Sequence, residues 1–189
     1  LADHVEGPIE LLGEFAAEFT VAPREVLELT MWRHQKYVPL EKDGELLPNF
    51  VITADRTFGP GTGDSDFTAN VLAGNSRVIS ARLADARYFW EEDSARFLES
   101  RVEDLKRVTF QKDAGSMYDR VARIEKLALA IATDFGVTNA KDVARAARLS
   151  KADLTTRMVF EFPELQGVIG RRLTEAHGEK AEIARAIEE

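Results

Sequence analysis

Three histidines, His4, His34 and His177, and no cysteine make up the imidazole and thiol inventory of this 189-residue chain. No two histidines fall at the spacing that puts a pair of imidazoles on one helix face for a metal. No serine sits in the Gly-x-Ser-x-Gly turn that exposes a nucleophile above a sheet. Carboxylates are plentiful, but sequence spacing alone does not show that any two converge on one site for acid–base work. The stretch Gly59-Pro60-Gly61-Thr62-Gly63 has the wrong spacing for a phosphate cradle. No lysine follows it, and Asp64 and Asp66 would repel an anion. Arg56–Asp66 is therefore expected to be a surface loop, and no catalytic, cofactor or metal residue is predicted.

What remains is the chemistry of donors and cations. His34-Gln35-Lys36-Tyr37 is a donor-rich tetrapeptide at a helix-to-strand junction. It suits contact with phosphate and ribose, with Tyr37 stacking on a base. It equally suits a turn in which the three polar residues face solvent and Tyr37 enters the core. Further along, Arg120 and Arg123, and Arg145 and Arg148, are spaced three apart, so each pair shares a helix face. With Lys151 and Arg157 they read either as solvated surface or as a stripe facing RNA. Met158, Phe160 and Phe162 read as core.

Charge is placed unevenly. Residues 1–73 hold 13 acids and 5 bases, residues 74–189 hold 20 of each, and residues 116–172 hold 10 bases and 7 acids. The net charge of −8 does not attract a polyanion as a whole, but a locally basic helical region can. No run approaches the roughly 18 apolar residues of a membrane helix, and the start, LADHVEGP, is not expected to be a secretion signal, since no basic region precedes an apolar run. With no cysteine, a reducing, cytoplasmic setting is expected.

The positioning elements follow from periodicity. Ile9–Phe19 reads as a strand and turn. Pro23 opens a helix that runs to about His34. Tyr37–Leu40 and Leu46–Asp55 read as strands joined by a turn at Lys42-Asp43-Gly44. In Gly74–Asp93, Ile79, Leu83, Ala86 and Trp90 fall at helical spacing, widened by Val78 and Phe89. Asn75 or Ser76 is expected to cap that helix. Arg82 interrupts the stripe and is expected to be partly buried, paired with Asp85. Glu91–Asp93 crowd the end the helix dipole disfavours, so they are expected to lie past it or to find partners. Ala95–Val108, Met117–Ile131 up to Gly136, Asn139–Leu149, Ala152–Phe160, a run from Pro163 to His177-Gly178, and Lys180–Glu189 read as helices. The expected fold class is α+β: a small α/β part with a β-hairpin over 1–72, then an all-helical part over 73–189. The abrupt start and uncapped end lead us to expect a piece of a longer chain.

Three segments carry a family resemblance. MWRHQKY (31–37), GNSRVISARLADARYFWEED (74–93) and LSKADLTTRMVFEF (149–162) with Gln166-Gly167-Val168 resemble, in order, segments of the bacterial glycyl-tRNA synthetase β subunit. Val38 departs from the family's usual aromatic, and His177-Gly178 from a frequent His-Asp. The resemblance implies the end of a larger β-subunit domain over 1–72, then a degenerate HD-like domain over 73–189 that stops short. HD phosphohydrolases need a His-Asp dyad. Here Ala152 precedes Asp153, and Met117–Ile131 contains no histidine, so a metal-free scaffold is implied. The implied function is tRNA binding and subunit scaffolding in the ATP-dependent attachment of glycine to tRNA. An α subunit would hold the ATP and Mg of the holoenzyme, in an α2β2 assembly. Candidate tRNA contacts are His34, Gln35, Lys36, Arg120, Arg123, Arg145, Arg148 and Lys151. An HD-like metal phosphohydrolase and a non-catalytic assembly module are the alternatives.

Overall fold

The computed structural model describes residues 7–55 and 64–189. His4 and positions 56–63 of the expected surface loop lie outside the described residues. Two compact units are present, 1–88 and 89–189.

In the first unit, β1 (Pro8–Glu14) and β2 (Val38–Lys42) flank β3 (Glu45–Asp55) in an antiparallel sheet of order β1-β3-β2. The β2–β3 hairpin turns at Asp43-Gly44, where φ is +54° and +85°. These angles match the right-handed twist of the flanking strands, and Asp-Gly tolerates them. Helix α1 (Arg24–Glu28) runs directly into a π-helix over Leu29–His34. Val26, Leu27 and Met31 are buried, and so are Phe50 and Ile52 of β3. Phe50 stacks on Tyr37 at 5.0 Å and on Phe15 at 6.5 Å. It also lies opposite Gly13 in the strand register, where a Cβ would meet its ring at 2.3 Å.

Helix α2 (Asp64–Ser94) contains Gly74–Asp93 but starts ten residues before Gly74. Asp64–Asp66 therefore begin the helix rather than end a loop, and Asn75 and Ser76 are interior residues, not caps. Tertiary structure accounts for Asn75: its Oδ1 accepts from the Tyr37 hydroxyl at 2.6 Å, and its Nδ2 donates to the Val71 carbonyl at 2.8 Å. Ile79, Leu83 and Ala86 are fully buried, whereas Val78 is exposed. Arg82 is exposed as well, and so is Asp85. The expected buried Arg82 is thus corrected. Leu83 takes the inward position, and Arg82 sits about 100° round the helix from it. The division between the two compact units falls at Tyr88/Phe89, inside α2.

The second unit is mainly helical. After α2, Leu98–Arg107 forms a 3-10 helix where an α-helix was expected. Its buried residues Leu98, Arg101, Val102 and Leu105 include two i,i+3 pairs, a spacing that serves a three-residue turn. Strands β4 (Thr109–Gln111) and β5 (Gly115–Ser116) make a small hairpin. Helix α3 (Met117–Asp134) opens on a capping box: Asp119 N–H donates to Ser116 Oγ at 3.2 Å and Ser116 N–H to Asp119 Oδ2 at 2.8 Å. Helix α4 (Ala140–Leu149) packs on α3.

The run expected as one helix over Ala152–Phe160 divides at Thr156, into a 3-10 turn (Ala152–Thr155) and α5 (Arg157–Glu161) capped by the Thr156 side chain. Met158 and Phe162 are buried, but Phe160 is 81% exposed, because the five-residue helix turns it away from them. Helices α6 (Val168–Ala176) and α7 (Ala181–Glu188) follow. Glu91–Asp93 stay within α2 and find partners: Glu92 pairs with Arg157 at 3.0 Å, and buried Asp93 pairs with buried Arg101.

Candidate nucleic-acid interface

In the first unit the donor tetrapeptide sits where the π-helix ends. Six residues in i→i+5 geometry widen the turn over Leu29–His34, and such segments occur preferentially at functional sites. The chain then reverses at Lys36, whose φ is +61°. Lys36 N–H donates to the Trp32 carbonyl at 3.2 Å, and Tyr37 N–H to the Met31 carbonyl at 2.9 Å. This left-handed cap normally carries glycine or asparagine; a lysine pays a steric cost there. The result places Trp32, Arg33, His34 and Lys36 on the surface, with Gln35 half-buried. Tyr37 points inward, and burial pushes its phenol above its usual pKa. It is a core residue, not a stacking platform.

The second unit carries the helical cations. Arg120 lies over the ring of Phe110 from β4, 4.3 Å from its centroid. Arg123 is exposed and donates to the Ala114 carbonyl at 3.1 Å. The small hairpin and the first turns of α3 thus present an aromatic ring and two guanidiniums side by side. Sequence reading missed Phe110, because ten residues separate it from Arg120 and only the hairpin brings them together.

Arg145 and Arg148 on α4 are placed differently. Arg145 Nη1 pairs with Glu99 at 2.8 Å, and its Nε donates to Glu179 at 3.0 Å. The Glu179 carboxylate, with Glu99 behind it, holds the Arg145 proton more tightly than usual. Arg148 lies 3.7 Å from Glu125 of α3. The α3 and α4 pairs therefore do share one packed helix pair, but Glu125, Glu99 and Glu179 neutralise much of the α4 end. Lys151 is half-buried just beyond α4.

Asp153 is fully buried. Its Oδ2 accepts from the Gly167 N–H at 2.6 Å, and its Oδ1 has no partner. Burial raises its pKa, against backbone donors from Gly167 and Gly170 that lower it. This is the environment of a structural carboxyl. Among the described residues, no three His, Cys, Asp or Glu side chains are grouped to hold a metal. No described helix is long and apolar enough to cross a membrane.

The family model for the glycyl-tRNA synthetase beta subunit matches residues 1–189. The chain belongs to that family. Glycine–tRNA ligase beta subunits of Clostridioides difficile (strain 630), Synechocystis sp. (strain ATCC 27184 / PCC 6803 / Kazusa) and Bacillus subtilis (strain 168) are similar to it at 45%, 45% and 39% identity. The alignments cover 97%, 98% and 98% of this chain but 26%, 25% and 27% of those subunits. The chain thus spans about a quarter of the length of these curated glycyl-tRNA synthetase relatives. The three segments that suggested the family fall on the π-helix and its cap, on α2, and on the α4–α5 region with Gln166–Val168, so they lie in both units.

Proposed function

We propose that this chain is a tRNA-contacting and scaffolding part of a glycyl-tRNA synthetase β subunit. The observation that carries this reading is family membership across the whole chain. The reaction is the ATP-dependent attachment of glycine to tRNA. ATP and Mg belong to an α subunit, the assembly is α2β2, and the setting is the cytoplasm. No residue of this chain takes part in bond making. The second unit is read as a degenerate HD-like scaffold, whose dyad position is taken by Asp153 in a buried structural role.

Two surfaces support RNA contact. One is Arg33, His34 and Lys36 beside exposed Trp32. The other is Arg120 and Arg123 beside Phe110. Duplex RNA is recognised mainly through shape and backbone, so cations without base-reading partners suffice. Arg148 and Lys151 flank the second surface, and Arg145 contributes through packing.

The test is tRNA charging by the full-length holoenzyme carrying Arg120→Glu with Arg123→Glu. KM for tRNA is expected to rise and the salt dependence of binding to flatten, with glycine-dependent ATP–pyrophosphate exchange unchanged. Unchanged tRNA kinetics would reduce the chain's role to scaffolding.

A further inference from the structure

The apolar surface of helix α3 is only partly covered within the second unit. Its inward positions, Met117, Val121 and Ala132, are buried. A second row, Leu127, Ile131 and Phe135, recurs every four residues and is 62%, 49% and 82% exposed. The helix ends in a Schellman motif: Val137 N–H donates to the Ala132 carbonyl at 2.8 Å and Gly136 N–H to the Thr133 carbonyl at 3.1 Å, with Gly136 at φ +64°. That motif turns exposed Val137 back alongside the last turn. The row continues the line of Arg123, four residues before Leu127, so one helix edge is basic at its start and apolar at its end.

An exposed apolar patch rimmed by polar residues, here Arg123, Lys126 and Asp134, marks a contact surface. We infer that the Leu127/Ile131/Phe135/Val137 face is covered in the intact protein by another segment of the same β-subunit polypeptide. Two observations select this occupant. First, the chain spans only 26% of the Clostridioides subunit it resembles, so roughly three-quarters of the family's polypeptide lies outside residues 1–189. Second, the face is small. Four such side chains expose on the order of a few hundred Å², against roughly 800 Å² per partner buried when separate chains associate stably. A patch of that size is sufficient within one polypeptide, because the tether removes most of the association entropy that a free partner must overcome.

The experiment uses the full-length β subunit assembled with its α subunit, with native cysteines replaced by serine and Ile131→Cys introduced. A benzophenone photo-cross-linker is attached at that thiol after partial unfolding and refolding, and the products are mapped by mass spectrometry. The expected product is an intrachain link to a β segment outside this one. In the native assembly the unmodified thiol is also expected to alkylate about tenfold more slowly than a Lys141→Cys control on exposed α4 surface. A β–β dimer on a denaturing gel would assign the face to a second copy, and an α–β adduct to the α subunit. Rapid alkylation without cross-linking would make the face open. Any of these three results overturns the inference. If Ile131→Cys fails to assemble, Phe135→Cys at the helix end gives the same readout.

Discussion

The carboxylate of Asp93, in the last turn of α2, accepts a hydrogen bond from Arg101 Nη2 at 2.8 Å, with both side chains buried. The same carboxylate accepts from the Met158 N–H at 2.9 Å and the Arg157 N–H at 3.2 Å, at the start of α5. One side chain thus ties the end of α2 to the 3-10 helix that follows it and to α5, 65 residues further on at Met158. Burial pulls the Arg101 guanidinium below its usual pKa while Asp93 holds the proton on. Removing either partner strands a charge away from water. Arg101→Ala or Asp93→Ala is expected to cost about 3–5 kcal/mol, read from denaturant unfolding, and exposed Arg82→Ala less than about 0.5 kcal/mol. Equal effects at Arg82 and Arg101 would refute the assignment.

Asp153 gives a pH signature. Its folded pKa is raised, chiefly by burial. The folded state therefore binds the proton more tightly than the unfolded chain. Its stabilising contribution is complete below the unfolded pKa of about 3.9 and is lost as pH rises through the folded value. Asp153→Asn keeps an acceptor for Gly167 but cannot ionise. Wild-type stability relative to Asp153→Asn is expected to decline from pH 4 to pH 8. A pH-independent difference in melting temperature would contradict this.

Lys36 separates fold from function. Its left-handed backbone costs a lysine about 1 kcal/mol more than a glycine. Lys36→Gly is expected to stabilise the chain by up to about that amount. If the ammonium meets a phosphate, the same change weakens tRNA binding by the holoenzyme and reduces its log–log salt slope by about one. A stabilised variant with unaltered tRNA binding would confine Lys36 to capping.

Gly13 and Phe50 are coupled by contact. A Cβ at Gly13 would lie 2.3 Å from the Phe50 ring. Gly13→Ala is expected to cost about 1–3 kcal/mol, and Phe50→Leu to relieve part of that in the double mutant. Additive effects would mean that the ring has room to move.

Much of this protein was legible from local pattern. The 3.6-residue period located the helices from α3 to α7, since side-chain spacing alone decides which face is apolar. Asp43-Gly44 announced the hairpin, because few residues accept two successive positive φ angles. Gly136 announced the end of α3 for the same reason. The segments around His34, Arg82 and Asp153 pointed to the family that the whole chain belongs to. What only the tertiary structure decided depends on partners distant in sequence. Asn75 reads as a cap until Tyr37 reaches it across 38 residues. Arg82 and Arg101 are alike as residue types, and only the position of Asp93 makes one of them buried. Arg145 looks as available to RNA as Arg120 until Glu99 and Glu179 close on it, while Phe110 approaches Arg120 instead. Periodicity encodes a face, but the identity of what lies opposite that face is a property of the folded chain.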